Sequence, residues 1–315
     1  MTILGIDRIT YGVDDLAACK RFFLDWGLKL VHEAPDGLDF ESLNGCQVWI
    51  RPQDDPGLPA AFEKGPTLRE VVWGVESKAD LDQVARAAPN VQSSADGLRG
   101  ADPNGLGIAF RVTQKRAIDI RGVPTNTWDK AARVDAASTF YARAEPVEVG
   151  HIVCFTDKLA ATSDFYQRIG FRMSDFYPGR GHFLRCAPAG GHHDLFLLQL
   201  PTAQRGLNHV AFTVRDIHEV FGGGLHISRC GWETQVGPGR HPISSAYFWY
   251  VKCPAGGLVE YFADEDVLTE NWQPREWQPG PDVFAEWAID GGIDGKTRRQ
   301  HLGAAPPKTH AGARS

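Results

Sequence analysis

The sequence is poor in the features that most readily assign a protein. Its six cysteines (Cys19, Cys46, Cys154, Cys186, Cys230 and Cys253) are scattered and contain no C-x-x-C pair. That spacing suggests neither a zinc site nor a disulfide framework, and reads as cytosolic thiols. No apolar run approaches the roughly 18 to 20 residues of a membrane span. The segment Met1 to Thr10 has no basic region ahead of an apolar one, so no secretory signal is visible and a cytoplasmic location is expected. Basic residues are not in excess. A net charge of −6 argues against a general nucleic-acid or anionic-membrane surface. Histidine is almost missing from the first half, where His32 alone precedes residue 150. Any chemistry is therefore expected in the second half.

What remains is the composition of an ordinary globular protein, 43% hydrophobic and 23% charged, in 315 residues that can hold two domains. Ile6 to Val13 reads as a strand, and Asp14 can cap a helix that carries Leu16, Phe22, Phe23 and Trp26 and ends at Gly27. Short strands follow at Leu28 to Glu33, Leu38 to Leu43 and Gln47 to Arg51, then at Leu68 to Val75, with a helix over Ser77 to Ala88 and a strand over Gly107 to Thr113.

The same order returns further along. Asp14-Asp15-Leu16-Ala17-Ala18 matches Asp157-Lys158-Leu159-Ala160-Ala161 at a constant offset of 143 residues, and Phe22, Phe23 and Gly27 fall on Phe165, Tyr166 and Gly170. A repeat this long is a duplicated domain, not a solenoid unit. Two similar domains are expected at residues 1–125 and 146–290, with a linker around Asn126 to Glu145 and a polar tail at 291–315. Between Asn271 and Glu286 the chain is rich in Trp and Pro, which predicts an irregular cover across the second domain.

Three strand-like runs in the second copy each carry one side chain able to bind a metal. They are Gly150-His151-Ile152-Val153-Cys154-Phe155, Leu207-Asn208-His209-Val210-Ala211-Phe212 and Gly257-Leu258-Val259-Glu260-Tyr261-Phe262. A single histidine in an apolar strand is more often a packed core residue than a ligand. Two similar histidine-bearing strands followed by a carboxylate between Val259 and Tyr261 are harder to dismiss, because a buried carboxylate is costly unless something positive pairs with it. Two imidazoles and one carboxylate suit the facial triad of non-haem Fe(II), a donor set that also permits Mn(II). In the first copy Arg8, Glu70 and Ala109 stand opposite His151, His209 and Glu260. That copy has the strands without the donors, which favours a functional role for the three.

Taken together, the duplicated βαβββ pattern, H-I-V, N-H-V-A-F and the Glu260 strand after Pro254-Ala255-Gly256 resemble the vicinal oxygen chelate superfamily, and within it the type I extradiol catechol dioxygenases. The run Gly239-Arg240-His241, then Tyr250 ahead of Glu260, is similar to that family's C-terminal signature, and Gly191-His192-His193-Asp194-Leu195 resembles the strand start bearing its acid–base histidine. The resemblance covers roughly residues 1–290. It implies an α+β fold of two tandem vicinal oxygen chelate domains, each a pair of βαβββ modules forming a half-open barrel.

It further implies Fe(II) on His151, His209 and Glu260, catalytic roles for His193, His241 and Tyr250, a catecholic substrate with O₂, and a homo-oligomer. Residues Pro242-Ile243-Ser244 depart from the family's usual Thr-Asn-Asp after the histidine. The alternatives are a non-oxidative metal-dependent lyase or isomerase of the same superfamily and a protein that binds a small aromatic molecule.

Overall fold

A computed structural model of the chain describes residues 2–290 and 298–299. All but two residues of the polar tail expected at 291–315 thus lie outside the described residues. The first half folds as two consecutive βαβββ modules: β1 (Ile3–Val13), α1 (Leu16–Asp25), β2 (Lys29–Ala34), β3 (Gly37–Glu41) and β4 (Gln47–Pro52), then β5 (Thr67–Val75), α2 (Lys78–Ala87), β6 (Gln92–Ser94), β7 (Gly97–Ala101) and β8 (Gly107–Val112). Residues 113–147 contain no helix or strand.

The second half repeats the plan. Its first module is β9 (Glu148–Phe155), α3 (Leu159–Arg168), β10 (Arg172–Tyr177), β11 (Gly181–Arg185) and β12 (Leu195–Leu198). Its second is β13 (Gly206–Thr213), α4 (Ile217–Arg229), β14 (Thr234–Arg240), β15 (Tyr247–Lys252) and β16 (Leu258–Ala263). Beyond these, β17 (Arg275–Glu276), α5 (Pro281–Phe284), β18 (Trp287–Asp290) and β19 (Arg298–Arg299) are short.

Local chemistry accounts for the boundaries. Asp15 caps α1, its carboxylate accepting from Ala18 N at 2.8 Å, one position later than the Asp14 expected from the sequence. Only at that position does the side chain reach back to an N–H of the first turn. The equivalent position before α3 is Lys158, and that helix has no side-chain cap. Ser77 and Asp216 cap α2 and α4. The hairpin of β6 and β7 was not evident in the sequence. It is a short pair with the exposed run Gln92–Ser94 at the sheet edge, and it buries too little to show an alternating pattern.

The two sheets run in the orders β2-β3-β4-β1-β5-β8-β7-β6 and β17-β10-β11-β12-β9-β13-β16-β15-β14-β18-β19. Their central registers coincide. In the first sheet Val72 lies opposite both Arg8 and Ala109; in the second, Ala211 lies opposite both His151 and Glu260. Arg8, Glu70 and Ala109 therefore occupy the frame positions of His151, His209 and Glu260. One apolar core joins the halves, with Trp73 edge-on to Phe171 at 4.9 Å and Phe22 edge-on to Trp232 at 4.8 Å. Among the described residues no helix is long and apolar enough to cross a membrane.

The Trp- and Pro-rich segment is less irregular than its composition suggests. Its β17 adds to the sheet edge beside β10, pairing Asp175 with Arg275, and β18, which follows directly after the segment, pairs with β14. Pro at 274, 279 and 281 falls between these pieces and not within the paired residues, so the ladder bonds are kept.

Candidate active site

Three adjacent central strands bring the metal-capable side chains together. His151 on β9, His209 on β13 and Glu260 on β16 are all buried. The two imidazole Nε2 atoms are 3.3 Å apart, and Glu260 Oε2 is 3.3 Å from that of His151 and 3.1 Å from that of His209. Donors on one face of an octahedral ion with bonds of about 2.1 Å lie about 3 Å from one another. The triangle has that size.

Its atoms are also poorly satisfied by protein. Neither carboxylate oxygen of Glu260 receives a well-directed hydrogen bond from the described residues. Lone pairs packed this closely are unfavourable without a cation or proton among them. Burial, reinforced by the nearby His193, pushes the His151 imidazole down to about 3, and burial lowers His209 as well. For Glu260, burial alone would raise the carboxyl, but His151, His209 and His241 hold it well below the usual range. Neutral imidazoles and an ionised carboxylate are the forms that bind a metal.

Neighbouring groups aim the donors. His209 Nδ1 donates to the Asn208 side-chain oxygen at 2.6 Å, which leaves the Nε2 lone pair directed into the triangle. Gly150 has no side chain because Phe262, which packs beside the His151 ring at 4.8 Å, stands where a Cβ would be.

A cavity of about 140 Å³ opens on the triangle. Its apolar wall includes Phe183 and Phe196, stacked with ring centroids 3.9 Å apart, together with Val153, Leu198 and Ile243. His193, His241 and Tyr250 line it too. His241 Nδ1 donates to the Phe284 carbonyl at 2.6 Å, so its Nε2 accepts from the Tyr250 hydroxyl at 3.1 Å. Burial, with the Glu260 charge adding to it, raises the Tyr250 phenol well above its ordinary value.

The adjacent histidines 192 and 193 diverge as strand alternation would have them do, although they sit in a turn ahead of β12 and not on a strand. His192 is fully buried, with Nε2 donating to Asp175 Oδ2 at 3.1 Å. Its Nδ1 then accepts from His193 Nδ1 at 3.2 Å, while Glu265 lies 3.4 Å from the same His193 nitrogen. This chain places the His193 lone pair on Nε2, in the ring that lies 4.1 Å from that of His151.

Several of these partners escaped sequence reasoning. Asp175 accepts from His192, from Trp277 Nε1 at 3.0 Å and from Arg275 at 2.7 Å. Burial alone would raise its carboxyl, but His192 and Arg275 hold it below the usual range. The signal available was the one that marked Glu260, an acid inside a strand. Val283 and Phe284 of α5 also line the cavity, so the Trp- and Pro-rich segment completes the site. After His241, Ser244 and Ser245 take left-handed φ values of 73° and 61°, and Ile243 is buried against the cavity.

Comparison with known proteins agrees with this architecture. Residues 148–266 match the model of the glyoxalase/bleomycin resistance protein/dioxygenase superfamily. The chain is 26% identical over 297 residues to metapyrocatechase 2 of Cupriavidus necator, covering 91% of this chain and 89% of that protein. Among solved structures, the Mn(II)-bound glyoxalase from Novosphingobium aromaticivorans superposes with a TM-score of 0.71 at 24% identity, over 99% of this chain and 98% of the other. A homoprotocatechuate 2,3-dioxygenase from Brevibacterium fuscum, solved with 3,4-dihydroxyphenylacetate, gives 0.67 at 19% identity over 90% and 88%.

Proposed function

We propose that this chain, whose residues 148–266 match the glyoxalase/bleomycin resistance protein/dioxygenase superfamily, is an extradiol dioxygenase that opens a catechol ring with O₂ beside the hydroxyls and not between them. The observation that carries the reading is the His151–His209–Glu260 triangle facing a cavity that also holds His193, His241 and Tyr250. On this reading residues 146–290 are the catalytic unit, and residues 1–125 a companion without the donor set.

Fe(II) on His151, His209 and Glu260, with Mn(II) as the alternative the donors permit, would supply Lewis acidity toward the two hydroxyls and hold O₂ next to the ring. The remaining work falls to the protein. The cavity suits one ring, since an apolar cavity of about 150 Å³ admits benzene. Phe183, Phe196 and Leu198 hold the ring by apolar contact and keep water away from it. The Tyr250 hydroxyl, now directed at His241, can turn its proton toward a deprotonated substrate oxygen. His241 holds that phenol in place and is itself fixed by the Phe284 carbonyl. His193, with its base nitrogen freed by the His192–Asp175 chain, takes a proton from the substrate and returns one to the opening ring.

The test is anaerobic reconstitution with Fe(II), addition of catechols substituted at position 3 or 4, then admission of O₂. Oxygen uptake with a yellow ring-opened product is expected, absent in His151→Ala. His193→Ala should retain the metal and lose turnover. No uptake with any catechol at stoichiometric iron would replace this reading with a non-oxidative metal enzyme.

A further inference from the structure

We infer that the joint between the two halves carries a second metal site, for a divalent ion of the zinc class, formed by Asp25, His226 and Cys230. The inference does not rest on the ring-cleavage reading, and the site shares no residue with the triangle. Asp25 closes α1 of the first half, whereas His226 lies in the last turn of α4 in the second half and Cys230 follows as the cap of that helix. A carboxylate oxygen, an imidazole nitrogen and the sulfur all lie within 4.8 Å of one another.

The donors are already drawn together. Residues four apart on a helix share one face, and the Cys230 N–H donates to the His226 carbonyl at 3.0 Å, which keeps the turn closed through the cap. His226 Nε2 thereby lies 3.5 Å from Cys230 Sγ. On a tetrahedral ion with bonds of about 2.3 Å to sulfur and about 2.1 Å to nitrogen, two such donors stand about 3.6 Å apart. The pair can share one ion almost without moving. Asp25 reaches the same sulfur from the other half, within hydrogen-bonding distance of it. Its carboxylate is fixed from behind, since Trp232 Nε1 donates to Asp25 Oδ2 at 2.8 Å and Trp232 is itself packed edge-on against Phe22 at 4.8 Å. A donor that orients a ligating carboxylate in this way is the outer-shell support that metal sites use.

The chemistry of the set selects the ion. A thiolate beside an imidazole and a carboxylate suits zinc and its neighbours, whereas calcium and magnesium take oxygen donors. Thiolate and carboxylate together balance two positive charges. The nearby cation, Arg21, lies 4.2 Å over the Trp232 ring. Access is open as well: Cys230 is half-buried, while the other five cysteines are buried. Cysteine spacing gives no sign of this site in the sequence, because a single thiol is joined by donors of two other kinds, one of them from the far half of the chain. An ion held here would tie α1 to α4 and so fasten one half to the other.

Co(II) is the probe, titrated without air into the full-length protein after dialysis against a chelator. Thiolate bound to Co(II) gives a near-ultraviolet charge-transfer band, which Co(II) in the sulfur-free triangle cannot give. The band is expected to saturate at one ion per chain and to be lost when Zn(II) is added in excess, but not when Mg(II) is. Cys230→Ser should abolish it. His226→Gln and Asp25→Asn should each weaken Co(II) at this band at least tenfold, with the circular dichroism of the fold unchanged because all three side chains are only half-buried. No band in the parent protein, a band that survives Cys230→Ser, displacement by Mg(II), or full affinity in either His226→Gln or Asp25→Asn would overturn the proposal.

Discussion

Trp26 at the end of α1 lies flat against Tyr261, with ring centroids 3.5 Å apart, and the Tyr261 hydroxyl donates to the Trp26 carbonyl at 2.7 Å. Tyr261 follows Glu260 on β16. The first half is thus clamped to the strand that carries the carboxylate of the triangle, on its opposite face. Tyr261→Phe leaves a buried carbonyl without its donor and should cost about 1–3 kcal/mol. Trp26→Ala should cost about 3–5 kcal/mol. Urea unfolding of both variants measures this, and an unchanged midpoint in Trp26→Ala would show that the contact carries no stability.

Asp175 joins the site to its cover. Asp175→Asn keeps the shape but loses the charge that pairs with Arg275 and fixes the His192 tautomer. Turnover should fall at least tenfold with metal content retained, and the segment around Trp277 should become sensitive to limited proteolysis. If both stay at the wild-type level, His192 is aligned by packing alone.

Gly224 lies inside α4, where alanine would ordinarily favour the helix by about 1 kcal/mol. Here a Cβ would sit 2.0 Å from the Trp249 ring on β15. Overpacking of about 1–3 kcal/mol should win, so Gly224→Ala is expected to be net destabilising. Since Trp249 precedes Tyr250, turnover should drop as well. A thermal melt at or above that of the parent protein would contradict this.

Asp102 gives a pH signature. Burial raises its carboxyl to about 6, with the Tyr166 hydroxyl at 3.0 Å and backbone N–H groups only partly offsetting this. Its folded value exceeds the unfolded one, so the folded state binds the extra proton between roughly pH 4 and pH 6. Stability from this group is present at the acid end and lost as pH rises through about 6. Relative to Asp102→Asn, the parent protein should therefore lose about 2 kcal/mol between pH 4 and pH 7, read from denaturant midpoints at each pH. A difference that does not vary with pH would mean Asp102 stays ionised throughout.

Much of this molecule is legible without coordinates, for a physical reason. His151, His209 and Glu260 sit on buried central strands, where a polar residue in an apolar run is conspicuous, and the duplication provided an internal control in Arg8, Glu70 and Ala109. What escaped depends on pairing across long sequence distances. Asp175 acquires its meaning only when Arg275 and Trp277 arrive 100 and 102 residues later. The β6–β7 hairpin is too short and polar to announce itself, and Phe284 looked like part of a cover until its carbonyl was found against His241.

The placement of the three donors on neighbouring central strands has a thermodynamic consequence. His151 and His209 are 58 residues apart in the chain, so the triangle is assembled by the same long-range strand pairing that completes the second sheet. An unfolded chain offers a cation no comparable grip. Any ion that fills the triangle therefore acts as a folding ligand, raising stability by about 2.7 kcal/mol at a free concentration one hundred times its dissociation constant. Chelation should accordingly lower the melting temperature of the second half as well as silence it, and supply of the metal would set how much of the protein persists in the cell.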